Sequence, residues 1–277
     1  VNQTLAEWAS PRLAALEAAL GAAFADAEPA RMREAALYPL QTGGKRVRPL
    51  LAFAACEAVG GRWEDALDAA VAVELLHTYS LVHDDLPCMD DDSERRGRPT
   101  AHVVFGENVA VLAGDALLTE AFVTLTRYPA ALARSLVAEL GRAGGAGGMI
   151  GGQAYDIGLA GPVRDLDGLF RLHRLKTGAL IRAACRMGAL AGGAQDLTGV
   201  SCIGEAIGLA FQIHDDVLDA GQDADEDGPP SFVKLVGVDG AARMAREQVE
   251  LALTEAARMP NGGMLAALAR FTVDRAF

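Results

Sequence analysis

Five aspartates, a glutamate and three arginines crowd into one stretch of this chain, His77–Thr100 (HTYSLVHDDLPCMDDDSERRGRPT), directly behind an apolar run. Asp84, Asp85, Asp90, Asp91 and Asp92 cannot all be buried and ionised without cations, because an unpaired buried carboxylate costs more than a fold can supply. Hard divalent ions such as Mg²⁺ are held by one or two carboxylates together with phosphate oxygens. Arg95, Arg96 and Arg98, just beyond the cluster, are multidentate phosphate donors. Taken alone, the stretch also reads as a solvated acidic loop balanced by its arginines. A second stretch, FQIHDDVLD at Phe211–Asp219, repeats the theme: Asp215 and Asp216 are paired, and Asp219 lies one helical turn beyond Asp215 on the same face. Like charges at that spacing repel unless something positive sits between them. Two such clusters on apolar helices suggest carboxylates facing one another across one cavity.

Basic residues recur at three further places. In GGKRVRP, Gly43–Pro49, Lys45 and Arg48 sit in a Gly-rich turn where both could converge on a diphosphate, although a surface basic turn before a helix would look the same. Lys176 and Thr177 interrupt an otherwise apolar helix, and a lysine there can also snorkel to the surface. His77 lies two turns before Asp84 on the same face, so it can reach the same cavity; a lone histidine on an apolar helix is otherwise a satisfied core residue. His83, His102, His173 and His214 form neither HExxH nor a His-Cys ligand set, which disfavours a zinc hydrolase.

These blocks resemble, in order and over nearly the whole chain, a trans-isoprenyl diphosphate synthase (polyprenyl synthetase) of the bacterial farnesyl diphosphate synthase type. The acidic stretches match the first and second aspartate-rich motifs, the first as DDxxxxD (Asp84, Asp85, Asp90) with Pro87 and Cys88 as the two-residue insertion. GGKRVRP, GGQAYD (Gly151–Asp156) and KTGALI (Lys176–Ile181) match three more family blocks. The resemblance implies an all-α, single-domain isoprenoid synthase fold over residues 1–277, about ten helices round a deep central cavity. It implies ionisation of an allylic diphosphate, alkylation of isopentenyl diphosphate by the cation, and loss of a proton. The expected metal is Mg²⁺, three ions with substrate bound and Mn²⁺ as a substitute, held by Asp84, Asp90 and Asp215, with Asp85 as ligand or neighbour and Asp219 orienting the ion's water. Asp91, Asp92 and Glu94 remain as a solvated rim. Lys45, Arg48, His77, Arg96 and Phe211 are expected on isopentenyl diphosphate, Arg95 and Lys176 on the allylic diphosphate, and Thr177 and Gln212 along the carbon chain.

Product length follows from the same resemblance. Tyr79 lies about 7.5 Å back from Asp84 along the helix axis, at roughly 1.5 Å per residue. Its angular offset is large, so periodicity alone does not aim it into the cavity; in the family an aromatic side chain here goes with a C15 product, and Ser80 beside it offers little obstruction. The resemblance thus implies farnesyl diphosphate from dimethylallyl or geranyl diphosphate, with a geranylgeranyl or geranyl diphosphate synthase as the alternative. A class I terpene cyclase is more distant, since it needs no second diphosphate pocket, and an inert helical scaffold would leave both acidic clusters without counter-ions. The chain departs from the family after Asp219. Two lysines expected there are missing from AGQDADEDGPPSFVKLVG, where Ser231-Phe232 match the T-[YF] pair and Pro229-Pro230 occupy the lysine region. A true shortening and a lid segment absent from this sequence both account for it, the second favoured because acidic, Gly-rich lids are mobile.

The elements that must position these residues are helical. Half of the residues are apolar and aromatics are only 5%, a composition suited to packed helices rather than a sandwich. The periodicity predicts helices over 1–20, 32–40, 50–59, 65–82, 105–125, 129–140, 166–190 (mildly interrupted at Gly178), 201–218, 240–259 and 262–271, with Ser10-Pro11 as the first cap. GRAGGAGGMIGG is either a loose loop or a run admitting a tightly packed neighbour, the resemblance favouring the neighbour, with Gln153 and Asp156 following near the cavity. A net charge of −12 argues against a nucleic-acid partner. The four widely spaced cysteines read as free thiols in a reducing compartment. No 18-residue apolar segment lacks charge, which favours a soluble cytoplasmic protein without stable membrane insertion. A homodimer is expected from the resemblance.

Overall fold

The structure, a computed structural model, describes residues 4–220 and 230–273. Among them are thirteen α-helices: α1 (Leu5–Ala22), α2 (Ala30–Leu40), α3 (Val47–Ala58), α4 (Leu67–Asp84), α5 (Ala101–Phe105), α6 (Glu107–Leu125), α7 (Ala130–Gly144), α8 (Met149–Asp156), α9 (Leu166–His173), α10 (Ala179–Ala191), α11 (Thr198–Asp219), α12 (Phe232–Ala256) and α13 (Gly263–Val273). A 3₁₀ turn at Trp63–Ala66 precedes α4, and a two-residue antiparallel ribbon pairs β1 (Glu94–Arg95) with β2 (Arg98–Pro99). The all-α expectation holds. The expected solvated loop at 221–230 lies, apart from Pro230, outside the described residues.

The backbone divides into two compact units, the first comprising residues 1–50 and 67–137, the second 51–66 and 138–277. In the first, α4 packs along α6 and is met by α1 and α2. Its apolar positions Val71, Val73, Leu75, Leu76 and Val82 are buried, each large side chain contributing about 1.5–3 kcal/mol. Helix α1 starts at a capping box, Thr4 with Glu7, rather than at Ser10-Pro11; Pro11 lies inside the helix. The expected helix over 105–125 is α6, starting at Glu107; Gly106, at φ 91, separates it from the short α5 before it. By length and composition α6 could cross a bilayer, yet Ala110, Ala113, Gly114, Leu117 and Ala121 are buried in this unit.

In the second unit α11 packs against α10 and α12, and α13 closes on α11 and α12. Leu169, Leu209, Ile213, Phe232, Ala241 and Ala245 form a buried cluster. The expected helix over 166–190 is interrupted by a π turn at Arg174–Gly178, and the first C-terminal helix begins earlier, at Phe232, with a kink where Gly237 takes φ 75. The glycine-rich run resolves into the end of α7, a turn and α8. Gly152 on α8 faces the backbone of Lys176, where an added Cβ would lie 2.1 Å from the amide nitrogen.

Candidate active site

Helix α4 delivers the first acidic cluster. It ends at Asp84, and the Asp90 amide donates to the Asp84 carbonyl at 2.9 Å, so the seven-residue DDLPCMD segment folds back on itself and brings Asp84 and Asp90 to one compact turn. Asp84 is half-buried and Asp90 exposed. Asp85 is buried and already partnered: Arg95 donates from Nε to its Oδ1 at 2.6 Å and holds it again through Nη2 at 2.5 Å. Burial raises the Asp85 carboxyl above the ordinary carboxylate value, while Arg95 pulls it back. Arg95, expected on a diphosphate, thus acts here on Asp85, with Asp92 3.4 Å away.

The Gly-rich turn of the same unit carries the cationic site. Lys45 is exposed; Arg48, in the first turn of α3, and His77 on α4 are half-buried. Burial lowers Arg48 to about 10, and burial together with Arg48 and Arg96 pushes His77 well below the usual histidine value, so the ring is neutral. Arg96, held at φ 56 in the ribbon turn, donates from Nη1 to the Gly43 carbonyl. The turn needs glycine because Gly43 and Gly44 take φ 82 and φ 149, which side-chain-bearing residues rarely adopt. Tyr38, Glu74, Thr78, Asp85, Arg95 and Arg96 line a pocket beside it. Tyr79 is buried, its ring edge-on to His83 at 5.7 Å. The Ser80 hydroxyl donates back to the His77 carbonyl at 2.8 Å.

In the second unit, Lys176 stands in the π turn, and its Nζ is paired with Asp156 of GGQAYD. Such a turn widens the helix locally and re-aims its side chains. The Thr177 hydroxyl donates to Gln212 Oε1 at 2.8 Å, joining two residues expected to act together. Phe211, Asp215 and Asp216 are half-buried on α11 and Asp219 is exposed. The Phe232 amide donates to Asp216 Oδ2 at 2.6 Å, so the second aspartate of this motif caps the start of α12.

Among the described residues no three His, Cys, Asp or Glu side chains converge as they would round an ion. The donor chemistry nevertheless fits Mg²⁺: Asp84, Asp90, Asp215 and Asp219 offer only carboxylate oxygens, and such an ion takes few of these, drawing its other ligands from phosphate and water. The sequence reading missed Arg46, Glu17 and Glu74, and did not foresee that Asp156 pairs with Lys176. A lone glutamate inside the apolar run of α4 was the available signal for Glu74, since a buried charge requires a partner.

A helical protein with an acidic turn beside a cationic, glycine-built one is equipped for diphosphates. Residues 29–233 match the polyprenyl synthetase family model. The chain is 42% identical over 246 residues to a chloroplastic geranylgeranyl pyrophosphate synthase of Capsicum annuum, covering 83% of this chain and 67% of that protein. Geranylgeranyl pyrophosphate synthases of Arabidopsis thaliana match at comparable identity, one of them 46% identical over 80% of this chain and 66% of its own length. The chain thus spans about two thirds of these plant relatives. It is 46% identical to the farnesyl diphosphate synthase of Escherichia coli (strain K12), covering 77% of each. A solved Helicobacter pylori geranyltransferase, complexed with magnesium and isoprenyl diphosphate, superimposes with a TM-score of 0.82 at 31% identity, covering 99% of this chain and 98% of that one. The chain belongs to the polyprenyl synthetase family, whose members it matches here are prenyltransferases.

Proposed function

We propose that this chain is a Mg²⁺-dependent prenyltransferase that condenses isopentenyl diphosphate head to tail with an allylic diphosphate and releases pyrophosphate, the two units serving as one synthase domain. The observation that carries this reading is the glycine-built cationic turn. Lys45, Arg48, Arg96 and neutral His77 form a second cationic diphosphate site beside the first aspartate motif, whose Asp85 and Arg95 line the same pocket as Arg96; an enzyme that only ionises one diphosphate would not need it. Asp84, Asp90, Asp215 and Asp219 are the residues we propose hold Mg²⁺, while Asp85, next to Asp84, is held by Arg95. When bound, the metal offsets the charge developing on the departing pyrophosphate. Lys176 exchanges Asp156 for the allylic diphosphate, and Thr177 with Gln212 turns oxygen dipoles toward the cation. Phe211 packs on isopentenyl diphosphate.

On product length the plant relatives favour geranylgeranyl diphosphate (C20), and we take that as the product. A second reading, farnesyl diphosphate (C15), rests on the buried ring of Tyr79 and on the likeness to the bacterial farnesyl synthase. Incubation with Mg²⁺, geranyl diphosphate and isopentenyl diphosphate, followed by dephosphorylation and chromatography, separates them. A C20 alcohol supports the first reading, and a C15 alcohol from the unmodified protein that lengthens in Tyr79→Ala establishes the second. Pyrophosphate release from the allylic substrate alone would instead indicate a cyclase.

A further inference from the structure

Arg46 lies between the two basic residues assigned to the cationic turn, yet it points the other way. Its backbone takes φ 47, in the left-handed region, and its guanidinium is 4% exposed. Every direction of the fork is occupied. Nε donates to Glu17 Oε1 at 2.8 Å, Nη1 to Glu74 Oε1 at 2.7 Å, and Nη2 to Glu17 Oε2 at 3.3 Å and to the Leu40 carbonyl at 2.5 Å. The side chain therefore ties the turn to α1, to the end of α2 and to α4 at once. It cannot also serve a substrate phosphate.

Glu74 gives this tie its functional meaning. Its side chain is 4% exposed, it lines the same pocket as Arg96, and it is the acidic group whose field reaches both Arg48 and Arg96. Without Arg46, Glu74 would be a buried anion acting on those two arginines. A carboxylate pairs with a guanidinium in the same bidentate geometry as a phosphate. It would compete for the donors that isopentenyl diphosphate requires.

We infer that Arg46 is a positioning residue for the isopentenyl diphosphate pocket: it neutralises Glu74, so that Arg48 and Arg96 stay available, and it holds the turn that presents Lys45. This rests on the function proposed above. Removing Arg46 leaves an unpaired buried charge that also threatens folding, so the test uses Arg46→Lys, which keeps the charge but loses the fork, and the double variant Arg46→Met with Glu74→Met, which removes both charges. Steady-state kinetics with each substrate varied in turn should show KM for isopentenyl diphosphate raised about tenfold or more in Arg46→Lys. KM for the allylic diphosphate should stay within about twofold. Arg46→Met alone should be worse than the double variant, because deleting Glu74 removes the competitor. Equal rises in both KM values, no change in either, or a double variant no better than Arg46→Met would overturn the inference. Failure of the underlying function is distinguishable: the unmodified protein would then show no condensation, and Lys45→Ala would have nothing to alter.

Discussion

A buried carboxylate held by one arginine and a half-exposed one at a helix end make different demands on a mutation, and Asp85 and Asp84 stand side by side as such a pair. Replacing Asp84 by Ala should cut turnover by roughly 10²–10³-fold, because a ligand to the leaving group's metal matters most in the transition state. Asp92→Ala, at an exposed position only 3.4 Å from Arg95, should change turnover by no more than a few-fold; pyrophosphate release assays compare the two, and a loss at Asp92 matching that at Asp84 would refute the division. Lys45→Ala should weaken isopentenyl diphosphate and spare the allylic substrate, which a binding titration of each resolves. His173 offers a pH signature. Burial lowers it to about 4 against an ordinary 6.5, and its ring stacks on Phe232 at 5.5 Å. A depressed value means the unfolded chain takes up the proton first, so the stability this ring contributes is complete above pH 6.5 and declines as pH falls toward 4. Asp156 opposes the shift and Lys176 supports it. Between those limits the protein should lose about 2 kcal/mol more than His173→Gln, a figure discounted because the ring is half-buried. Parallel melting curves for the two proteins across that range would refute it.

At the scale of elements, close backbone contact decides what can change. Gly152→Ala would drive a methyl into the Lys176 amide, a backbone atom that cannot swing aside, so a loss of about 1–3 kcal/mol is expected together with reduced turnover; a variant with unchanged melting temperature and kinetics would show that α8 shifts without cost. The same contact explains what was legible in the sequence. Apolar periodicity located α4, α6 and α11 well, because their buried faces repeat at helical spacing. The glycine run could not be resolved from composition, since whether it loops or packs depends on a partner far along the chain. The kink at Gly237 and the full π turn at Arg174–Gly178, of which only a mild interruption at Gly178 was legible, are local backbone choices made by the packing around them. Among site residues, Thr177 and Gln212 were expected in one place and do meet. Pairings between side chains distant in sequence, such as Lys176 with Asp156 and Arg46 with Glu17 and Glu74, leave no periodic trace.

For the molecule as a whole, association is the open quantity with the clearest structural cue. Val103, Val104, Val111, Leu112 and Val123, on α5 and α6 of the first unit, are between 40% and 54% exposed, apolar side chains of the kind that contact between copies covers. A homodimer using this face is expected, and Leu112→Glu should shift sedimentation at micromolar protein toward monomer; a monomeric unmodified protein would reject the assignment. One hydrogen bond described above bears on the chain between these elements. Since the Asp216 carboxylate receives the Phe232 amide, the ends of the intervening segment are pinned together by groups outside it. Adding chain between two points already held together costs only about 0.6 kcal/mol for each doubling of its length. Evolution can therefore lengthen or shorten that segment almost without thermodynamic resistance, and the stretch in which this chain departs from its family's pattern is one where insertions and deletions are cheap.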